Sequence, residues 1–198
     1  MSDAAQALRN GLPVILPTDT AYGLCASADG PHPTERLYRL KGRDPLQPSA
    51  LLAADVEMLL TCVPELCGRT TAIVEALLPG PYTLVLPNPA RRYPWLTGAN
   101  QDAIGVRVPD LPPEARTVVA DAGAIVATSA NLPGGPDPRR VDEVPAELRD
   151  GVAAVVDVGV LPGTPSTVID LTAEEPVVIR EGAVSSADAL RRIAVVLR

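Results

Sequence analysis

A chain of 198 residues with 46% hydrophobic residues is long enough to bury a core, and we expect residues 1–198 to form a single domain. Its formal net charge of −7 argues against general attraction to nucleic acid, so an RNA contact would need a local basic patch. Three cysteines without a CxxC pair and a single histidine are too few ligands for a zinc site. Without a signal-peptide pattern or an apolar run long enough to span a membrane, the sequence predicts a cytoplasmic protein.

Helical and strand patterns alternate along the first half of the chain. Apolar periodicity and helix-capping residues predict helices at residues 3–10, 34–41, 55–62 and 65–78. Short apolar runs predict strands at residues 13–17, 24–28, 49–53 and 82–86, and a long surface loop follows at 87–101. Because Gly42 ends the second helix, we expect Lys41 and Arg43 on an exposed corner.

The second half continues the alternation. We expect strands at residues 103–108, 124–128, 153–158, 167–171 and 176–180, and helices at 113–122, 141–149 and 186–197. Gly123 is placed as a helix C-cap, and Ser185 with Asp188 has the spacing of a capping box. The pattern is typical of an α/β fold, and the close spacing of the last two strands indicates that the sheet is mixed.

The first strand ends at Pro17 and runs into a turn rich in hydroxyl groups. It delivers Thr18, Thr20 and Tyr22 to one edge of the sheet, where polar groups commonly build a small-molecule pocket. The same residues are equally typical of a turn without a ligand, held by its own threonine side chains. The segment alone does not separate the two interpretations.

Two further motifs are suited to phosphate. Lys41 and Arg43 combine a point charge with a bidentate fork, although cations at a helix end also simply favour the helix dipole. Lys41 is the only lysine among 17 basic residues. Ser129 and Asn131 follow an apolar strand and can bind phosphate oxygens or metal-bound water, or else form an ordinary turn.

Charged and hydroxyl side chains also lie in or beside three other strands. Arg107 and Arg180 each interrupt an apolar run, where an unpaired charge would be costly, so each either is exposed or meets an anion. Ser166 lies where a loop becomes a strand. Because no glycine-rich nucleotide loop or catalytic-serine motif is present, the residues predict an anion-binding α/β domain without defining its reaction.

Taken together, the motifs resemble the YrdC family, the L-threonylcarbamoyladenylate synthases, over about residues 5–193. They occur in family order as PTDTAYGL at 17–24, KGR at 41–43, LLPGPYTLVLP at 77–87, IGVRVPD at 104–110, TSAN at 128–131, PSTVID at 165–170 and IREGAV at 179–184. The resemblance implies a twisted open α/β sheet with a concave, positively charged groove. It also implies the minimal single-domain form of the family.

The implied reaction condenses L-threonine, bicarbonate or CO2 and ATP to threonylcarbamoyl-AMP and pyrophosphate, a nucleotidyl transfer that serves tRNA modification. The implied partners are these substrates, Mg²⁺ carried with ATP and a downstream tRNA threonylcarbamoyl transferase complex. The metal needs no site made by the protein alone. The implied threonine ligands are Thr20, Arg107 and Ser166.

By the same resemblance, ATP is bound by Lys41, Arg43, Ser129, Asn131 and Arg180. Lys41 and Arg43 also have the catalytic task of neutralising phosphate charge. Thr18 and Tyr22 are further candidate site residues.

The chain departs from the family pattern at two places that bear on function. Asp19 replaces the usual glutamate, and Leu52 stands where many members have a histidine. An alternative is therefore a protein of the same fold that binds nucleotide or double-stranded RNA without synthase activity. A carbamoyltransferase of hydrogenase maturation uses a similar domain, but its zinc-finger and acylphosphatase segments have no counterpart in this sequence.

Overall fold

The computed structural model describes residues 2–197, which form one mixed β-sheet flanked by helices. Within this range the strands are β1 Val14–Pro17, β2 Tyr22–Ser27, β3 Ala50–Leu52, β4 Tyr82–Pro87, β5 Ala103–Arg107, β6 Ile125–Ser129, β7 Ala154–Val155, β8 Thr167–Asp170 and β9 Val177–Arg180. The helices are α1 Asp3–Arg9, α2 Pro31–Lys41, α3 Val56–Cys62, α4 Arg69–Leu77, α5 Pro113–Ala122, α6 Ala146–Asp150 and α7 Ser186–Val196, with a 3-10 turn at Val141–Glu143. In this part of the chain no helix is both long and apolar enough to cross a membrane.

The nine strands lie in the order β7, β1, β2, β6, β3, β5, β4, β8, β9. The pairs β1–β7, β3–β5 and β4–β8 are parallel, and the remaining neighbours are antiparallel. This pairing confirms the predicted α/β fold with a mixed sheet. The order also places the chain's first strands and its last strands at opposite ends of one open sheet.

The two faces of the sheet are covered differently. One face packs against α2, α3, α4 and α7 in the larger hydrophobic core. On the other face, α1 and α5 cover mainly the end of the sheet that contains β1 and β2. Strand β4 shows this difference in coverage. Its residues Tyr82, Leu84 and Leu86, on one face, are buried, whereas Thr83 and Val85, on the other face, are only half-buried. The uncovered part of this second face forms a groove.

Several predicted boundaries are confirmed by local chemistry. Helix α5 has the predicted bounds, and α3 is capped by Asp55, whose side chain accepts a hydrogen bond from the N–H of Met58 at 2.7 Å. Ser185 caps α7 by accepting from the N–H of Asp188 at 3.2 Å.

Other boundaries were wrong for identifiable reasons. Helix α2 begins at Pro31, because proline fits the first turn of a helix, where its missing N–H has no partner to lose. Helix α4 begins only after Gly68. The predicted helix at 141–149 is interrupted before Pro145, which starts a new short helix. The predicted strand at 153–158 pairs only over two residues.

Candidate active site

The groove on the open face of the sheet has a volume of about 490 Å³. Its floor is made of alternate residues of the central strands, several of which are small, such as Gly23, Ala50, Gly105 and Ala127. Small side chains leave the backbone close to the groove and keep its floor flat. The site is therefore not at one edge of the sheet, as the sequence indicated, but across its face.

Eight of the ten predicted site residues line this groove, and they come from six different segments. They are Thr18, Thr20, Tyr22, Arg43, Arg107, Ser129, Ser166 and Arg180. The two others, Lys41 and Asn131, lie behind the groove wall and contact a lining residue, Ser129. The fold thus brings together all the residues that the sequence motifs selected.

The turn after β1 is held by its own threonines. The Thr18 hydroxyl donates to the carbonyl of Ala21 at 2.7 Å and accepts from the N–H of Thr20 at 3.2 Å. Because the hydrogen of Thr18 Oγ1 is directed at Ala21, Thr20 Oγ1 donates to Thr18 Oγ1, which lies 2.9 Å away. Thr18 therefore shapes the turn, and Thr20 Oγ1 is left as an acceptor facing the groove.

Arg107 is fixed from one side. Its Nη2 donates to Asp19 Oδ1 at 3.0 Å and to Thr20 Oγ1 at 3.3 Å, while its buried Nε has no hydrogen-bond partner among residues 2–197. Asp19 Oδ2 also accepts from the N–H of Asp110 at 3.1 Å. Burial raises the pKa of Asp19 despite the nearby guanidinium, and burial likewise lowers the pKa of Arg107. An oriented, poorly solvated guanidinium in a groove is suited to bind an anion.

Ser166 and Arg180 form a second fixed group. Arg180 Nη2 donates to the carbonyl oxygen of Ser166 at 2.9 Å and to its hydroxyl at 3.3 Å. The Ser166 hydroxyl also lies 2.8 Å from Thr83 Oγ1 in β4. Burial is the main cause of the lowered pKa of Arg107, and repulsion by the positive charge of Arg180 is a smaller one. An anion placed between them would relieve this repulsion.

The expectation that Lys41 lies on an exposed corner was wrong, because its side chain is buried with only 3% of the residue exposed. Lys41 Nζ donates to the carbonyl of Ser129 and, at 2.8 Å, to Asn131 Oδ1. Burial, with a smaller contribution from the charge of Arg43, lowers the pKa of Lys41 to about 8. The ammonium group therefore supports the turn that presents Ser129 to the groove.

The side chain of Asn131 holds this turn in place through two hydrogen bonds. Its Oδ1 accepts from the Ser129 hydroxyl at 2.7 Å, and its Nδ2 donates to the carbonyl of Gly135 at 2.6 Å. Arg43 approaches from the opposite side, where Nη2 donates to the carbonyl of Pro48 at 2.6 Å and the guanidinium lies over the Tyr38 ring at 5.9 Å. Two cations thus converge on the Ser129 end of the groove.

Tyr22 contributes to the groove wall, but its hydroxyl serves the fold. The hydroxyl lies 2.9 Å from Asp157 Oδ1 and from the carbonyl of Gly159, and it accepts from the N–H of Val158 at 3.0 Å. Burial raises the pKa of this phenol. All these partners belong to the loop after β7, so the hydroxyl is not directed at a ligand in the groove.

Several groove residues were missed by sequence reasoning, among them Thr83 and Asp137. Thr83 lies at an alternate position of β4, and its period-2 placement beside buried leucines was the available signal. Asp137 comes from the proline-rich loop after β6, where no periodicity indicates which side chains face the groove. Among residues 2–197, no group of three or more His, Cys, Asp or Glu side chains has the arrangement of a metal site.

Comparison with known proteins supports this assembly of motifs. The Sua5/YciO/YrdC family model, described as "Telomere recombination", matches residues 6–182. The chain belongs to this family. This confirms the resemblance that the ordered motifs indicated, and the matched range spans every groove residue described above.

Several curated relatives carry the name threonylcarbamoyl-AMP synthase, and two of them differ in the share of their length that this chain spans. The Bacillus subtilis protein is 32% identical over 188 residues, which cover 93% of this chain but 54% of the relative. The Chromohalobacter salexigens protein is 33% identical over 177 residues, which cover 88% of this chain and 94% of the relative. The chain thus spans about half the length of the first relative and nearly all of the second.

Among solved structures, the Pyrococcus abyssi Sua5 protein complexed with L-threonine superposes with a TM-score of 0.87 and 32% sequence identity. The match covers 96% of this chain and 56% of that one. Nearly all of this chain therefore corresponds to one part of a longer protein of known structure.

Proposed function

We propose that this protein is an L-threonylcarbamoyladenylate synthase, an enzyme that transfers the adenylyl group of ATP to a carbamate of L-threonine. The relatives named above carry this activity in their names, and one structural relative was determined with L-threonine. The observation that carries the proposal is a single groove with two separately fixed cationic groups, Arg107 with Arg180 and Arg43 with Lys41. Two anionic substrates need two such groups.

The Arg107 side of the groove fits the amino acid. The guanidiniums of Arg107 and Arg180 both line the groove, where they can donate to the threonine carboxylate. Thr20 Oγ1 accepts a hydrogen bond, and the Ser166–Thr83 hydroxyl pair both donates and accepts, so these groups can hold the substrate's amine and hydroxyl. A site with fixed hydroxyl partners discriminates against an amino acid that lacks the hydroxyl.

The Ser129 side fits the nucleotide phosphates. Arg43 contributes a guanidinium, and Lys41 contributes positive charge from beneath the turn that Asn131 braces. The Ser129 hydroxyl donates its hydrogen to Asn131, so its oxygen is a possible ligand for a metal carried by the phosphates. ATP would arrive with Mg²⁺, which prefers oxygen ligands and is commonly held by one or two carboxylates together with substrate phosphates. The possible metal ligands along this wall are the Ser129 hydroxyl oxygen and the Asp137 carboxylate, and oxygen ligands suit that metal.

The proposed reaction needs no covalent enzyme intermediate. The threonine amine adds to CO2 and loses a proton to give a carbamate, and a carbamate oxygen attacks the α-phosphorus of ATP. The bond from that phosphorus to the bridging oxygen breaks, and pyrophosphate leaves. The protein's task is to hold both substrates in line and to neutralise the negative charge of the phosphates. Lys41 and Arg43 supply the positive charge for this. The product would pass to a transferase that modifies tRNA.

The test is pyrophosphate release by the purified protein across a panel of amino acids. We expect release only with ATP, bicarbonate and L-threonine together, weaker release with serine, and none with valine. Arg107→Ala should abolish release, whereas Arg191→Ala, on the exposed face of α7, should not. Release that ignores the amino acid would refute the assignment. Nucleotide binding without release would instead identify a family member that has kept the groove but not the reaction.

A further inference from the structure

One carboxylate lies in the groove among the cations. Asp137 lines the groove, and it belongs to the loop between β6 and the 3-10 turn. This loop is anchored directly after it, because the carbonyl of Pro138 accepts from the N–H of Tyr22 at 3.0 Å and the carbonyl of Arg139 accepts from the N–H of Leu161 at 2.8 Å. The position of Asp137 is therefore set by the sheet and not by a free loop.

The carboxylate is only partly engaged. Its Oδ1 accepts from Asn131 Nδ2 at 3.3 Å, and within residues 2–197 its Oδ2 accepts no hydrogen bond. The negative charge of Asp137 acts on both cationic groups of the groove, because it raises the pKa of Lys41 and the pKa of Arg107 against the effect of burial. Asp137 thus lines the groove, contacts Asn131 on the proposed phosphate side and interacts electrostatically with a cation of each side.

A carboxylate at this place has opposite effects on two forms of a nucleotide. It repels metal-free triphosphate, which would bring about four negative charges to the same wall. Toward a triphosphate that carries a divalent cation, the same carboxylate is an additional oxygen ligand or counter-charge. The neighbouring Ser129 hydroxyl donates its hydrogen to Asn131, so its oxygen lone pairs are directed away from that bond and remain available as well.

We infer that Asp137 makes nucleotide binding in this groove depend on a divalent cation, by excluding the metal-free nucleotide and contacting the metal of the metal–nucleotide complex. The inference rests on the proposed function, because it requires that ATP bind here. It adds to that function a residue that selects the form of the nucleotide. Asn131 and the anchored loop are the positioning elements for this carboxylate.

The experiment measures ATP affinity by isothermal titration calorimetry, once with excess MgCl2 and once with excess EDTA. The proteins are the wild type, Asp137→Asn and the matched control Asp142→Asn, whose carboxylate is exposed and paired with Arg140 outside the groove. Asparagine keeps the size of the side chain and removes its charge. Thermal melts of all three proteins check that the fold is retained.

We expect Asp137→Asn to bind ATP about tenfold more tightly than the wild type in EDTA, and no more tightly in MgCl2. The enhancement of affinity by magnesium should therefore fall about tenfold in Asp137→Asn and stay unchanged in Asp142→Asn. An equal magnesium enhancement in all three proteins, with ATP bound, would overturn the inference and leave the proposed function standing. No ATP binding by the wild type in either condition would overturn both.

Discussion

Lys41 links the proposed nucleotide site to pH. Burial lowers the pKa of Lys41 to about 8, well below its ordinary value of 10.5, with a further contribution from the positive charge of Arg43. The ammonium form supplies charge to the phosphate end of the groove, and the neutral amine does not. We therefore expect ATP affinity to decrease as the pH rises through 8.

The size of the effect follows from the protonated fraction. With a pKa of about 8, roughly 90% of Lys41 is protonated at pH 7 and roughly 3% at pH 9.5, so the apparent affinity should fall about thirtyfold across this interval. The effect of the same residue on stability has the opposite sign. Between pH 8 and 10.5 the unfolded chain binds more protons at Lys41 than the folded chain, so this contribution to the free energy of unfolding rises with pH. Loss of affinity therefore does not arise from Lys41-linked unfolding.

The assay is a calorimetric or fluorescence titration of ATP at several values between pH 7 and 9.5, with circular dichroism at each pH. Lys41→Arg is the matched control, because its guanidinium stays charged throughout this range. It should bind more weakly at pH 7, since its planar group does not reproduce the contacts of the ammonium with Ser129 and Asn131, and its affinity should be independent of pH. A flat profile for the wild type, or the same slope in Lys41→Arg, would refute the reasoning.

Two substitutions test the amino-acid side of the groove. Asp19→Asn removes the charge that orients Arg107 and should lower the free energy of unfolding by about 3 kcal/mol and raise the KM for threonine more than tenfold, as urea denaturation and pyrophosphate assays would record. Wild-type values of both quantities in Asp19→Asn would contradict the role of the charge. Gly182→Ala places a Cβ 2.6 Å from the carbonyl carbon of Ser166, so we expect the KM for threonine to rise while ATP affinity is retained. An unchanged KM in Gly182→Ala would show that the position of Ser166 does not matter for the amino acid.

Much of the fold could be predicted from the sequence, because the local helix and strand signals agree with the tertiary packing along most of the chain. Helix α5 begins at a proline and ends before Gly123, and both boundaries were predicted from these residues alone. The errors concern segments that depend on distant partners. The predicted strand at 153–158 is shortened because Asp157 and Gly159 turn to meet the hydroxyl of Tyr22.

The sequence motifs selected eight side chains that line the groove, but they did not indicate what each of these side chains contacts. Motif order identified every cation of the groove, yet no periodicity shows that Lys41 is buried beneath Ser129 or that Tyr22 is directed at another loop. These are contacts between residues about 90 and 135 positions apart. Asp137 was missed for the same reason, since only the anchoring of its loop on β2 brings it to the groove.

The position of the groove follows from incomplete coverage of one sheet face. A mixed sheet whose second face is covered only at one end leaves backbone and alternate side chains of β3, β4, β5, β6 and β8 accessible. On this surface Gly105 and Ala50 are level with each other on parallel strands, so no side chain separates the Arg107 side from the Ser129 side. Two substrates lying on such a floor face each other without a barrier, which a condensation between them requires. Replacing Gly105 by valine should therefore impair the condensation more than the binding of either substrate alone.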